Sequence, residues 1–294
     1  MAQINPTVGD LAGNRDKIID FIGQAKKLGA DLVALPEMAV TGYPPEDLLL
    51  KPQFVKDNLR TLNDIRRATR GITAVVGFVD RKEALYNAAA ILHHGELAYV
   101  YHKILLPNYG VFDEYRYFRP GNRHPLITVR GVTIGVNICE DIWFPEGPTR
   151  SQAIAGAEVI VNINASPYRK GKGVQRLKML ADRAKQNRVI ITYTNMVGGQ
   201  DELVFDGQSM VIDRNGRLMA MGRQFEEELI TLDLAIPDRK PVSSSAEDRL
   251  LVPIDSLVLS EKPRARKRPL PPGRKTETSL SLCEEVYRAL VTGT

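Results

Sequence analysis

Residues 131–148 read GVTIGVNICEDIWFPEGP. The run VTIGVNI is apolar and rich in β-branched residues, which predicts a buried strand. Its exit delivers Cys139, one of only two cysteines, followed by Glu140, Asp141 and the sole tryptophan, Trp143. Neighbouring carboxylates disfavour a thiolate, so a lone thiol at this place demands a reason. Upstream, LITV and VTIGVNI flank Arg130-Gly131 as a hairpin. Downstream, TRSQAIAGA reads as helix, EVIVNIN as strand, VQRLKMLADRAKQN as a longer helix and VIITYTN as strand. This alternation around a hairpin predicts an α/β protein with a mixed sheet, helices covering it and polar loops at the strand ends.

The N-terminal part follows the same pattern. Asn14 is placed to cap a helix whose apolar residues Ile18, Ile19, Ile22 and Ala25 recur at helical spacing, with Gly29 as a stop. DLVALPE follows as a short buried strand ending at Pro36 and Glu37. A second amphipathic helix carries Val55, Leu59, Leu62 and Ile65, and ITAVVGFV reads as a fully buried strand. Between Leu85 and Val100 two β-type runs meet through HHGE, a hairpin turning at Gly95. Beyond VIITYTN the chain meanders through QSMVID, the turn DRNG, RLMAMG and ELITLDL. From about Ala235 onward prolines at 237, 241, 253, 263, 269, 271 and 272 interrupt every candidate element. The final SLSLCEEVYRALVTGT regains helical periodicity, with no predicted neighbour to cover its apolar side. Three segments result: a domain over 1–235, a Pro-rich basic linker over 236–279 and a helix opening over 280–294.

Of 294 residues, 43% are hydrophobic and 26% charged, ordinary values for a chain that buries a full core. No apolar run approaches the roughly 18 to 20 residues of a membrane span, and MAQINPTVGD lacks the layout of a secretory signal. Two cysteines make no disulfide framework, which fits a reducing compartment; a soluble, cytoplasmic protein is expected. The net charge of +5 is local, because EKPRARKRPLPPGRK (261–275) holds seven basic residues and one acid. A solvated linker accounts for that stretch better than a nucleic-acid-binding face.

Three predicted strands end on reactive side chains: Glu37 after DLVALP, Lys103 after AYVYH and Cys139 after VTIGVNI. Each alone reads as an unremarkable surface acid, solvated lysine or inert thiol. Together they make a chemical set. A free cysteine, with a pKa of about 8.5, is mostly protonated at neutral pH. A lysine ammonium favours its thiolate, and a carboxylate can take its proton. A cysteine–histidine mechanism would need a partner among His93, His94, His102 and His124, none of which lies in a recognisable motif. Cys139 and the histidines show no metal-ligand spacing either, so no metal site is expected.

These residues resemble the nitrilase, or carbon–nitrogen hydrolase, superfamily, whose active site uses Glu, Lys and Cys in that chain order. The resemblance sharpens to one branch, the glutaminase domains of glutamine-dependent NAD synthetases. It rests on LPEMAVTGYPPEDLL around Glu37, YHKILLPNYGVFDEYRYFRPG around Lys103, CEDIW at Cys139, NINASPY, and NMVGGQDELVFDGQS, which together cover most of residues 3–215. It implies a four-layer α-β-β-α sandwich, with Cys139 as nucleophile, Glu37 as general base and Lys103 as the oxyanion-stabilising cation. Glu114 matches a further active-site glutamate of the superfamily. Tyr109 and Ser166 match glutamine-holding positions, and Tyr43 and Trp143 match pocket walls. Glu140 is a candidate for the α-amino group of glutamine. The implied partners are glutamine and the synthetase domain of the same enzyme, in a homo-oligomer, with neither nucleic acid nor membrane. The glutaminase step needs no cofactor; ATP and Mg²⁺ would serve only the synthetase domain.

Two departures from the pattern stand out. Related domains begin with a strand of several residues before AQ-N-P-T-x-G-D, whereas here little precedes that segment. An SGGxDS-type loop for ATP pyrophosphate does not occur in the 294 residues, so the helix at 280–294 is expected to open a synthetase domain absent from this chain. Glutamine hydrolysis without NAD formation is the leading expectation. A freestanding amidase or carbamoylase of the same superfamily is the alternative, and a non-catalytic interaction domain that kept the fold is a third reading.

Overall fold

The structure is a computed structural model that describes residues 1–236, 253–261 and 279–294. A two-residue strand β1 (Ala2–Gln3) leads to α1 (Leu11–Lys27), β2 (Leu32–Ala34) and α2 (Pro52–Ala68), and then to β3 (Thr73–Arg81), β4 (Leu85–His93) and β5 (Glu96–His102). The chain continues through β6 (His124–Val129), β7 (Val132–Ile138), α3 (Pro148–Ile154), β8 (Val159–Asn164), α4 (Lys172–Asn187) and β9 (Ile190–Asn195). It ends with β10 (Val197–Gln200), β11 (Leu203–Asp206), β12 (Met210–Ile212), β13 (Leu218–Met221), β14 (Glu228–Leu229), β15 (Ile254–Val258) and α5 (Leu282–Gly293).

Two sheets carry the architecture. One has the order β2-β3-β4-β5; the other runs β13-β12-β9-β8-β7-β6-β15 with β7, β8 and β9 parallel. Strand periodicity sorts the side chains into layers. On β3 and β4, Ala74, Val76, Phe78, Ala88, Ala90 and Leu92 face α1 and α2, meeting Ile18, Ile22, Leu62 and Ile65. The intervening Val75, Ala89 and Ile91 face the other sheet, against Ile134, Val136 and Ile138 of β7 and Val161 and Ile163 of β8. On the far side, Ile160, Ile191 and Tyr193 pack under Leu180 and Ala184 of α4. The order helix, sheet, sheet, helix is the expected four-layer sandwich. Strands covered on both faces read as continuous apolar runs, which is why ITAVVGFV lacks alternation in sequence. The β4–β5 hairpin turns at His94 and Gly95 with φ of 51° and 91°, the left-handed pair that matches strand twist.

Several local expectations are corrected. The cap of α1 is Asp10, whose carboxylate accepts the Gly13 N–H at 2.8 Å. Asn14 lies inside the helix, buried, exchanging hydrogen bonds with Thr7 and donating to the Val40 carbonyl. Leu11 and Ala12 open the helix, but no apolar residue follows from Gly13 to Lys17, so the periodicity read from Ile18 starts late and misplaces the boundary. β15 forms among the prolines of the 236–279 segment, parallel to β6; an edge position needs hydrogen bonds on one side only, which tolerates a flanking proline. α5 does find a neighbour. Ala289 is buried, the Thr292 carbonyl lies against Gly199 of β10, and Arg288 pairs with Glu226 at 3.1 Å. The basic run at 262–275 lies outside the described residues. No helix among the described residues is long and apolar enough to cross a membrane.

Candidate active site

Glu37 stands three residues beyond β2. Its loop is drawn along β3 by the bonds Leu35 N–H to Val75 O and Val40 N–H to Gly77 O. Gly77 makes that approach possible, since a Cβ there would lie 2.2 Å from the Pro36 carbonyl oxygen and 2.4 Å from the Met38 nitrogen. Lys103 directly follows β5; its N–H donates to the Asn87 carbonyl on β4 and its carbonyl accepts from Gly121 N–H. Glu114 opens a single 3-10 turn (Glu114–Arg116). Cys139 is the first residue after β7, at the start of a short turn (Cys139–Ile142), with φ of 43°. A left-handed backbone is uncommon for a residue with a Cβ, and at a strand exit it turns the side chain away from the strand's own path.

The four side chains are all buried. The Lys103 Nζ donates to Glu37 Oε1 at 2.7 Å and to Glu114 Oε1 at 2.8 Å. Asn87 Nδ2 donates to Glu37 Oε1 at 2.6 Å and to Glu114 Oε2 at 3.3 Å, tying the two carboxylates together. The Ala165 N–H, beyond β8, donates to Glu37 Oε2 at 2.8 Å, so the opposite sheet fixes the same carboxylate. Tyr43 OH donates to Glu114 Oε1 at 3.1 Å. Its hydroxyl therefore belongs to the charge cluster.

Electrostatics follow from this burial. Desolvation works against the Lys103 ammonium, but the Glu114 and Glu37 charges outweigh it and hold its pKa well above the ordinary lysine value. Burial raises the carboxyl of Glu114, opposed by Lys103. For Cys139, burial pushes the thiol well above its usual range and Glu37 adds to that push, outweighing the pull of Lys103. The expectation that Lys103 favours the thiolate thus holds for its own contribution only. The resting thiol is protonated.

The remaining predicted residues have contacts of their own. Tyr109 OH donates to both oxygens of Glu140, at 2.8 and 3.0 Å, while the Tyr109 ring is more than half exposed at 58%. Trp143 carries the Lys172 ammonium over its ring at 5.6 Å from the centroid, a cation–π contact. Ser166 is buried and its N–H donates to Asn195 Oδ1 at 2.9 Å. The sequence reading missed Asn87 and Lys172. A polar residue inside the apolar run LYNAAAIL was the available signal for Asn87. Lys172 opens α4 after Gly171, and its charge acts on both Cys139 and Glu140. Nothing in its local sequence distinguishes it from a solvated lysine. The acids beside the thiol are also explained: Glu140 turns to Tyr109, and Asp141 turns to Tyr101 and the chain after Lys103.

Residues 1–242 match the carbon–nitrogen hydrolase family. A glutamine-dependent NAD(+) synthetase from Thermotoga maritima is 47% identical over 246 residues, covering 83% of this chain and 43% of the relative. Another from Rhodobacter capsulatus is 36% identical and covers all of this chain but 48% of its own length, so the chain spans under half of the curated relatives it matches. Among solved structures, a glutamine-dependent NAD+ synthetase from Acinetobacter baumannii in complex with ADP superimposes with a TM-score of 0.80 at 35% identity, over 99% of this chain and 50% of that one. An amidase from Nesterenkonia sp. AN1, in a mutant carrying the acetamide moiety of fluoroacetamide covalently on its active-site cysteine, superimposes at 0.70 with 27% identity, over 77% of this chain and 86% of that one.

Proposed function

This chain belongs to the carbon–nitrogen hydrolase family, and we propose that it hydrolyses the side-chain amide of glutamine to glutamate and ammonia through a thioester on Cys139. One observation carries the reading: Lys103, buried, bridges Glu37 and Glu114 with two of its three ammonium protons. The third proton is available to an oxyanion, and the bridge holds the Glu37 carboxylate in place as acceptor for the thiol proton.

Glu37 takes the Cys139 proton as sulfur attacks the carboxamide carbon. The oxyanion forms against Lys103 and the Glu140 backbone N–H, which opens a turn and so has no partner within it. Each such donor is worth about 3 to 4 kcal/mol in comparable sites. Glu37 returns the proton to nitrogen, the C–N bond breaks and ammonia leaves. Water then gives a proton to Glu37 and attacks the thioester; sulfur departs, regains that proton, and glutamate is released. The head of the substrate is recognised by opposite charges at the rim, with Glu140, held by Tyr109, for the ammonium and Lys172, over Trp143, for the carboxylate. Tyr43 and Ser166 shape the pocket between.

The ammonia serves amidation of deamido-NAD by a synthetase domain, as the names and greater length of the relatives suggest. The likeness to an amidase favours a second reading, a broader small-amide hydrolase. Incubating the chain with glutamine, ATP, Mg²⁺ and deamido-NAD, and measuring glutamate and NAD separately, tests the first. Glutamate without NAD is expected. A preference for asparagine, aliphatic amides or N-carbamoyl amino acids over glutamine would sink it in favour of the second.

A further inference from the structure

Asp141 is fully buried two residues past the thiol, and the reaction above gives it no part. Its carboxylate is saturated. Oδ1 accepts the Leu105 N–H at 2.8 Å and the Ile104 N–H at 3.2 Å. Oδ2 accepts the Tyr101 hydroxyl at 2.7 Å and the Ile138 N–H at 3.0 Å. Tyr101, Ile104 and Leu105 bracket Lys103 in sequence, while Ile138 directly precedes Cys139. One side chain therefore joins the exit of β5, in the four-stranded sheet, to the exit of β7, in the seven-stranded sheet.

We infer that Asp141 is a positioning residue, whose carboxylate clasps the thiol-bearing turn to the chain around Lys103 and so fixes the separation between nucleophile and oxyanion cation. The inference rests on the roles proposed above for Cys139 and Lys103. The chemistry selects the residue type. All four partners are donors, and an ionised carboxylate is the acceptor-only side chain with about four lone-pair sites. Asparagine has the same shape but turns an NH₂ group, itself a donor, toward half of those partners. Burial pushes the Asp141 carboxyl up to about 6, with the bonds from Leu105, Tyr101 and Ile138 and the nearby Lys103 charge pulling it back. Such a group is costly to hold in the interior unless its bonds are needed.

The test compares native chain, Asp141→Asn and Tyr101→Phe for glutamine turnover and for backbone hydrogen exchange at Ile104, Leu105 and Ile138. In Asp141→Asn, kcat should fall about 100-fold with KM within about threefold, since a displacement near 1 Å has that effect on a reacting pair. Exchange should quicken about tenfold at whichever amides face the new NH₂ group, Ile104 and Leu105 on one side or Ile138 on the other, as their acceptor is lost. Tyr101→Phe removes one donor and leaves the carboxylate, so it should fold even if the asparagine variant does not. It should lose about fivefold in kcat at unchanged KM. Native-like kcat in the folded variants, or exchange unchanged at all three of Ile104, Leu105 and Ile138, overturns the clasp. A native chain that releases no glutamate sinks the glutaminase reading alone, and hydrogen exchange still decides the clasp.

Discussion

Lys172 is where charge and position meet most informatively. Its ammonium is drawn out of water over the Trp143 ring, and burial together with the charge of Arg176 lowers its pKa. If it binds the carboxylate of glutamine, Lys172→Met should raise KM about ten- to a hundredfold, the value of one charge-assisted bond of about 1.5 to 3 kcal/mol, with a smaller effect on kcat. Steady-state kinetics on glutamine beside an uncharged aliphatic amide checks this, and equal losses on both would remove the assignment. Glu37, Lys103 and Cys139 were legible in the sequence because each ends an apolar run, where a polar side chain breaks the pattern. Lys172 and Asn87 were not. Asn87 matters because it stands opposite Val79 in the ladder, beside Glu37 and Glu114, and Lys172 because α4 docks its first turn over Trp143. Cross-strand register and helix docking are long-range facts that local spacing does not carry.

Strand β3 shows how an element without a catalytic side chain sets the geometry of one. Gly77 lets the Glu37 loop lie on the sheet, and the atoms that an added Cβ would meet are backbone, which cannot swing aside. Gly77→Ala should destabilise the chain by about 1 to 3 kcal/mol and displace Glu37, so thermal melting and glutamine turnover should fall together. A variant as stable and active as the native chain would show that the loop has room to give. In sequence, ITAVVGFV reveals a buried strand but gives no reason for its glycine, because the reason lies forty residues upstream, at 36–38. Short elements fared worse. β14 is a two-residue ladder paired with β1, far less than ELITLDL suggested, and α5 docks on the β10–β11 hairpin, where the Thr292 carbonyl lies against Gly199, a contact that local spacing does not carry.

Taken as one folded body, the protein should show a stability that depends on pH through its buried titratable groups. His124 is buried with Nδ1 lacking a hydrogen-bond partner, and desolvation lowers its pKa to about 4. Between that value and its ordinary one of about 6.5, the unfolded chain binds more protons than the folded one. The contribution of His124 is therefore present above about 6.5 and lost as pH falls toward 4. Asp141, with its pKa raised to about 6, acts in the opposite sense: over that window the folded state holds the extra proton, so stability from this group falls as pH rises. The native curve is a sum of such terms, but the difference between native and His124→Gln isolates one of them. The native advantage in unfolding free energy should shrink from pH 7 to pH 4.5 in denaturant titrations, and a constant difference would refute it. The two facing sheets carry a further consequence. The proposed base and cation belong to one sheet and the proposed nucleophile to the other, and the bond from Ala165 N–H to Glu37 closes a separation of 128 residues. Until the sheets meet, Cys139 is an ordinary thiol with no base beside it. The convergence of Glu37, Lys103 and Cys139 is thus a product of tertiary assembly, complete only once the two sheets are in contact, and belongs to no single segment of the chain.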